Sequence, residues 1–481
     1  MNGHVEVVSE QAQMTPRMSH AGLLMASQIV KWSLRLIFMV VVARALGPKE
    51  LGVYALLFTV VEFLAMASGA GYIDYLTREA AKDARVGWGL AFQLMGLRIA
   101  IGIPVALTAV GLLSLLGYPH RVLAGTAWMA ATILPRSASE AVQGVLRGIH
   151  RYTSYLVIEL ILGGSLVAGA VVLVARRGGL GMVIGVEILA ATAAGLAGLA
   201  FALKHRTRRV VRLSGGQLLK KSSVFNVYGF VGTLYDRFDV VLLSKLAGDY
   251  ATGIYSVAYR AVIIPQVLGY GVLYSLLPTL SRDAMGQAEQ KRLGRAAGLL
   301  LSAAFFIVLA AMIFAVPAVA LVLGPRYSES AAAVKILIWA VILRYINYAL
   351  NVGLLAGGHE RVFLKTTATC LGVNLIGNLA LIPRFGWRAA AVMTIVTELV
   401  LLAQNVCWFR RVVGRVAPPW EVARTSVAFG ILLAIALAGG RLGWPLLVGT
   451  GCLVCFATYL VHAGVLNEFT AIWGAERAAA G

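Results

Sequence analysis

Near its start the chain reads Arg44-Ala-Leu-Gly47-Pro-Lys-Glu-Leu-Gly52-Val-Tyr54, and near its middle Lys245-Leu-Ala-Gly248-Asp-Tyr-Ala-Thr-Gly253-Ile-Tyr255. The cation, both glycines and the tyrosine each recur after 201 residues. A second pair, Gly144-Val-Leu-Arg-Gly148-Ile-His150 and Gly353-Leu-Leu-Ala-Gly357-Gly-His359, recurs after 209. Two matches in the same order at similar separations mark an internal duplication. Between the matched positions the chain is overwhelmingly apolar. Of its 481 residues 59% are hydrophobic and 13% charged, whereas a soluble domain carries roughly 25% charged residues. Mean hydropathy is +0.82. Apolar stretches of roughly 20 residues, each long enough to cross a bilayer as a helix, recur from end to end. This composition excludes a secreted, disordered, fibrous or cytosolic protein. It leaves no polar stretch long enough for a soluble catalytic domain on a membrane anchor.

The apolar pattern predicts an all-α polytopic membrane protein of about fourteen helices. Six are expected at 21–45, 51–76, 88–116, 122–147, 153–175 and 180–203. Six more are expected at 222–246, 252–280, 295–323, 331–356, 361–383 and 388–411, and a weaker pair at 422–440 and 444–463. The implied organisation is a tail at 1–20, a first lobe at 21–203 and a basic interlobe loop at 204–221. A second lobe at 222–412, two extra helices at 413–463 and a tail at 464–481 follow. The interlobe loop holds Lys204, Arg206, Arg208, Arg209, Arg212, Lys220 and Lys221. Positive loops stay in the cytoplasm, so the loop and both termini are expected there. The repeat unit is six helices, an even number, so the two halves point the same way. In transporters built from such parallel repeats, substrate binds between the halves near the midplane.

Net charge is +21. Loop cations account for much of it, and no nucleic-acid-binding module is visible. Of the four cysteines, Cys452 and Cys455 form a CxxC inside an apolar helix, which reads as small core residues rather than redox or zinc chemistry. Residues Met1–Ser19 are polar and carry no apolar core beside a cleavage site, so no removable signal peptide is expected. No nucleotide motif, metal-ligand cluster or nucleophile–base set stands out, and no cofactor is expected.

The first duplicated motif also resembles the opening of the polysaccharide and lipid-linked oligosaccharide flippases of the multidrug/oligosaccharidyl-lipid/polysaccharide exporter superfamily. Gly253-Ile-Tyr-Ser-Val-Ala-Tyr-Arg260 and Leu277-Pro-Thr-Leu-Ser-Arg282 are similar to that family's second-half signature. Leu323-Gly-x-x-Tyr327, Asn374 to Asn378 leading into Ile382-Pro-x-x-Gly386, and Glu398 extend the resemblance over roughly residues 20–412. It implies two six-helix lobes about a central cavity. It also implies transfer of a polyprenyl-pyrophosphate-linked sugar from the cytoplasmic to the outer leaflet of the inner membrane. The implied partners are that glycan, membrane lipids and polysaccharide polymerase or assembly proteins; nucleic acid is not among them. A cation or drug antiporter of the same superfamily, or a non-transporting scaffold in envelope assembly, are the rival readings. A glycosyltransferase would need an extramembrane catalytic segment.

Ionisable residues in mid-helix cost several kcal/mol by insertion scales, so each is a candidate for function. Lys31 and Arg35 share one helical face with Ser27 and are expected to form a cationic cavity wall that grips phosphate or acidic sugar. The alternative is snorkelling to the surface. Arg136, Glu140, Gln143 and Arg147 form a polar stripe, which reads equally as a second wall or as an internal Arg136–Glu140 pair. Arg344, Asn347 and Asn351 form a third stripe, which reads as a further substrate-binding wall of the cavity or as helix packing through the asparagines. Arg98 and Arg260 are single mid-helix cations that read equally as substrate-binding members of the cationic cavity or as bridges between helices. Asp236 and Asp239 share a face at i,i+3 beside Arg237 and, with Glu398, are candidates for binding a coupling ion; Glu62, Glu159 and Glu187 are further lone carboxylates. For every carboxylate the alternative is pairing with a neighbouring cation.

Overall fold

The computed structural model describes residues 17–69, 71–205, 213–280, 286–414, 420–441 and 445–462. The expected C-terminal tail, most of the N-terminal tail and the centre of the basic loop lie outside these residues. The described residues form seventeen α-helices and a 3-10 turn at Pro325–Tyr327, with no strand among them. Ten helical segments are long and apolar enough to cross a membrane. All fourteen expected spans are helical, with differences where the backbone is interrupted.

The first two spans merge into one bent helix, α1 (Arg17–Ala67). Gly47 (φ 74°) breaks it, a conformation cheap only for glycine, and Pro48 restarts it. The second span also continues past a turn into α2 (Tyr72–Lys82). Next come α3 (Ala84–Leu115), then α4 (His120–Ala130) and α5 (Ile133–Gly148), which replace a single expected helix. Pro135 accounts for that break, because its ring would clash with the carbonyl four residues earlier. Helices α6 (Tyr152–Ala175) and α7 (Leu180–Lys204) complete the first half.

The second half repeats the plan. Helices α8 (Gly215–Leu246) and α9 (Gly248–Ser275) are followed by the short α10 (Leu277–Leu280) and by α11 (Gln287–Leu323). A split span, α12 (Ser328–Leu337) and α13 (Trp339–Ala356), precedes α14 (Glu360–Phe385) and α15 (Trp387–Val412). Left-handed residues punctuate both halves in register: Gly47 and Gly248, Gly117 and Gly324, His150 and Gly358, Arg177 and Gly386. Their separations, 201 to 209 residues, match those of the sequence motifs, so the duplication extends to the backbone turns. The last two helices, α16 (Trp420–Arg441) and α17 (Pro445–His462), pack on α11 through a Phe305–Phe429 stack (4.6 Å between centroids) and through Gly449, pressed against Ile313.

By contacts the chain forms two units, one of Met1–Ala45 with Val60–Phe230, the other of Leu46–Thr59 with Val231–Gly481. In the first unit, Gly195 and Gly198 bring α7 onto the α5 backbone at Pro135 and Ser139, a close approach open only to small residues. In the second, the duplicated motifs meet. A Cβ on Gly52 would lie 1.8 Å from the Asp249 carbonyl oxygen, and one on Gly253 would lie 1.9 Å from that of Pro48. Asp249 and Pro48 are themselves 201 residues apart, so the contact is reciprocal: each copy of the motif presses its glycine on the other's backbone.

Candidate functional site

Buried charge gathers in one cluster per unit. In the first unit Lys31 Nζ lies 3.0 Å from Glu159 Oε1 on α6, and Gln143 Nε2 on α5 donates to the same oxygen at 3.1 Å. One turn along α1, Arg35 makes a two-pronged pair with Glu187 on α7, at 2.9 and 3.1 Å, the fork geometry that fixes a guanidinium in orientation. On α5, Arg136 joins Glu140 (2.9 Å) and reaches Glu62 (3.0 Å), while Arg98 of α3 donates to the other oxygen of Glu140 at 2.5 Å. The i,i+4 pair expected between Arg136 and Glu140 is thus one link in a longer chain. Four cations stand against four carboxylates. Arg98 Nε and Nη2 are buried without a hydrogen-bond partner. Arg147 lies apart, 3.7 Å from Asp74.

The second cluster centres on Arg344 of α13. Its Nε donates to Glu398 Oε1 on α15 at 2.7 Å and its Nη1 to Gln266 Oε1 on α9 at 2.6 Å; Nη2 lies 3.4 Å from the Tyr259 hydroxyl and 3.5 Å from Asp236 Oδ1 on α8. Glu398 is saturated by Tyr235 and Asn347 as well. Asn405 in turn donates to Asn347. Asp239, one turn beyond Asp236, is buried and accepts from the Tyr255 hydroxyl and the Val240 amide; Tyr255 also meets Thr394. The two aspartates therefore share a helix face but not a partner. Both aspartates line a small polar cavity together with Tyr235, Tyr259, Arg344, Asn374, Thr394 and Thr397, with room for about one water molecule. Arg237 and Arg260 both stack on Phe58, at 5.7 and 5.3 Å from its centroid, a cation–π contact.

Counterpart positions carry different chemistry. Arg136 and Arg344 are the cations of corresponding helices, 208 residues apart. Arg35 and Asp236 are 201 residues apart, the separation of the motif just after them, and have opposite charge. Tyr235, Tyr255, Tyr259 and Gln266 were not among the residues singled out for function. Tyr255 lies in the duplicated motif and Tyr259 in the signature that follows it, so a signal for both was present. Gln266, one neutral residue in an apolar helix, had none beyond its polarity.

A family model described as polysaccharide biosynthesis protein matches residues 19–283, more than half of the chain. The chain belongs to that family. Among curated proteins it is 21% identical over 428 residues to a probable low-salt glycan biosynthesis flippase, Agl15, of Haloferax volcanii, covering 86% of each chain. It is 26% identical over 331 residues to the succinoglycan biosynthesis transport protein ExoT of Rhizobium meliloti, covering 64% of this chain and 63% of the relative. Its fold is similar to that of a solved lipid II flippase, MurJ, in an inward closed conformation, with a TM-score of 0.72 at 13% identity, over 91% of this chain and 99% of the other. The fold is also similar to that of a multidrug resistance MATE family transporter of the MOP superfamily in an inward-facing conformation, with a TM-score of 0.65 at 15% identity, over 84% of this chain and 99% of the other.

Proposed function

We propose that the chain is a flippase that moves a polyprenyl-pyrophosphate-linked oligosaccharide from the cytoplasmic to the outer leaflet by alternating access. Support comes from the family and from one asymmetry of exposure. In the first unit the cation is generally the more exposed partner: the Lys31 side chain is 40% exposed against 2% for Glu159, and Arg35 21% against 9% for Glu187. In the second unit Asp236 is 50% exposed against 8% for Arg344, while Glu398, the closer partner of Arg344, is buried at 2%. Buried carboxylates in the first unit hold cations at membrane depth and present them, as an anionic pyrophosphate requires. In the second unit a buried guanidinium pairs with one half-exposed carboxylate, Asp236, and one buried carboxylate, Glu398. Arg98 is the buried exception in the first unit.

Lys31, Arg35 and Arg136 are assigned to the pyrophosphate or acidic sugar, with Arg98, Arg260 and Arg344 as positioning cations. Asp236 and Asp239, with the hydroxyl oxygens beside them, are assigned to a coupling cation, a proton or sodium, and Glu398 orients Arg344. Helices α16 and α17 are proposed to shape a groove for the polyprenyl tail. The proposed location is the inner membrane, both termini cytoplasmic, with polymerase and assembly proteins as partners and transport rather than bond chemistry as the activity.

Thermal stabilisation of the purified protein by lipid-linked oligosaccharide, against a lipophilic cation, tests this reading. Stabilisation by the glycan lipid that is lost in Lys31→Ala/Arg35→Ala supports it. Stabilisation by the lipophilic cation alone places the protein with the drug antiporters. No response to either ligand favours the scaffold reading.

A further inference from the structure

The second unit carries a group of side chains that neither phosphate binding nor ion coupling uses. Tyr270 and Tyr274 of α9 stack with centroids 4.0 Å apart, and Tyr348 of α13 meets them edge-on at 5.7 and 6.5 Å. The arrangement follows from a close helix crossing. Gly269 lies under the ring of Tyr345, where a Cβ would come within 2.1 Å of a ring carbon, and the Tyr345 hydroxyl donates to the Pro265 carbonyl at 2.5 Å. The helices can approach only because Gly269 has no side chain, and that approach sets Tyr270 beside Tyr348.

Position on the helices separates this group from an ordinary ring of tyrosines at the lipid interface. Tyr259, Gln266, Tyr270 and Tyr274 follow one another at spacings of seven, four and four residues, a single face of α9. Tyr259 and Gln266 are ligands of Arg344. On α13, Arg344, Tyr348 and Asn351 likewise share a face. The tyrosines therefore continue the polar wall built around Arg344. Tyr270 is 48% exposed, so its ring is open to a ligand. Asn351, buried on the same face, has an amide oxygen with no hydrogen-bond partner.

We propose that Tyr270, Tyr274 and Tyr348 form a stacking platform for the sugar rings of the lipid-linked glycan, with the Asn351 amide oxygen as a nearby hydroxyl acceptor. The proposal rests on the flippase reading and names the part of the substrate this wall takes. Phenol rings bring no charge and do not select a pyrophosphate. Their faces are electron-rich and apolar, and their edges carry hydroxyls. A sugar ring is complementary, with a face of polarised C–H groups and a rim of donors and acceptors. An isoprenoid chain would leave the phenolic hydroxyls and the amide oxygen unsatisfied, which costs free energy in an apolar site.

The test is a binding titration on the full-length protein in nanodiscs. Two probes are used: the lipid-linked oligosaccharide pool extracted from the host cells, and the same pool after acid release of its sugars. The expected result is binding about tenfold tighter for the glycan-bearing pool. Tyr270→Ala/Tyr348→Ala should abolish that preference while leaving affinity for the sugar-free pool unchanged, which also shows that the variant is folded. Tyr270→Phe/Tyr348→Phe, which keeps the rings, should retain most of it. Wild-type binding of both pools with equal affinity overturns the platform and leaves the flippase reading standing. A preference that survives the alanine pair, or falls equally in the phenylalanine pair, overturns it too. Binding of neither pool by the wild type overturns the flippase reading and the platform with it.

Discussion

The two charged clusters occupy corresponding places in a duplicated scaffold, yet they are built to opposite plans. The first is a chain of ion pairs, four cations against four carboxylates, in which every cation but Arg98 is more exposed than the carboxylates it meets. The second has one deep guanidinium shared between two carboxylates, Glu398 and the half-exposed Asp236, and two neutral groups, Gln266 and Tyr259, with a third carboxylate, Asp239, nearby. Arg35 and Asp236, at equivalent positions, show how the difference arises. One substitution of sign on α1 or α8 is compatible with the same helix packing, because each side chain finds an opposite charge on a neighbouring helix. The duplication supplies a common scaffold, and on the proposed reading side-chain replacement divides it between an anion-binding half and a cation-binding half.

The comparison is broken most severely at Arg344. Its replacement by Ala leaves Glu398, 2% exposed, without its cation, and removing one member of a buried pair costs about 3–5 kcal/mol. The melting temperature should fall sharply, and Arg344→Met/Glu398→Met should recover much of the loss. Next in size is the feature that both halves share. Gly52→Ala or Gly253→Ala drives a methyl group into a backbone carbonyl that no rotamer change can move aside, so each should cost about 3 kcal/mol. Gly164→Ala, with nothing within 4 Å, should be neutral or stabilising by up to about 1 kcal/mol in the same melting assay.

A smaller effect sharpens the ion-pair plan of the first unit. Lys31→Met leaves Glu159 with Gln143 among its partners and should cost about 1–3 kcal/mol, an unmade hydrogen bond to a buried charge. Adding Glu159→Met should restore stability, and the cycle's coupling energy reports the pair. Smallest in stability is Asp236→Asn: half exposed, its pairing should contribute less than about 1 kcal/mol. Transport in proteoliposomes should nonetheless lose its dependence on the sodium or proton gradient. A variant that keeps that dependence refutes the assignment of the coupling ion to this unit.

Helix positions were legible because a bilayer demands long apolar runs and nothing else in the sequence produces them. Ends and breaks were less so. The join of the first two spans at Gly47, and the split before α5, depend on one residue's backbone preference inside an otherwise continuous apolar pattern. Most of the charged members of both clusters were visible as rare ionisable residues in apolar segments, since their cost in lipid makes each conspicuous. Neutral members were not: Gln266 and the phenols of Tyr235 and Tyr259 are ordinary in a membrane helix until a guanidinium is placed beside them.

From its sequence alone this protein's class, its duplicated six-helix repeat and its intramembrane charges follow, because composition, periodicity and the cost of charge in lipid are local properties of the chain. Tertiary structure alone decided the pairings. Arg35 and Glu187 lie 152 residues apart, Lys31 and Glu159 128, and Arg344 and Gln266 78. Which carboxylate meets which cation depends on how glycines such as Gly195 and Gly269 let helices approach.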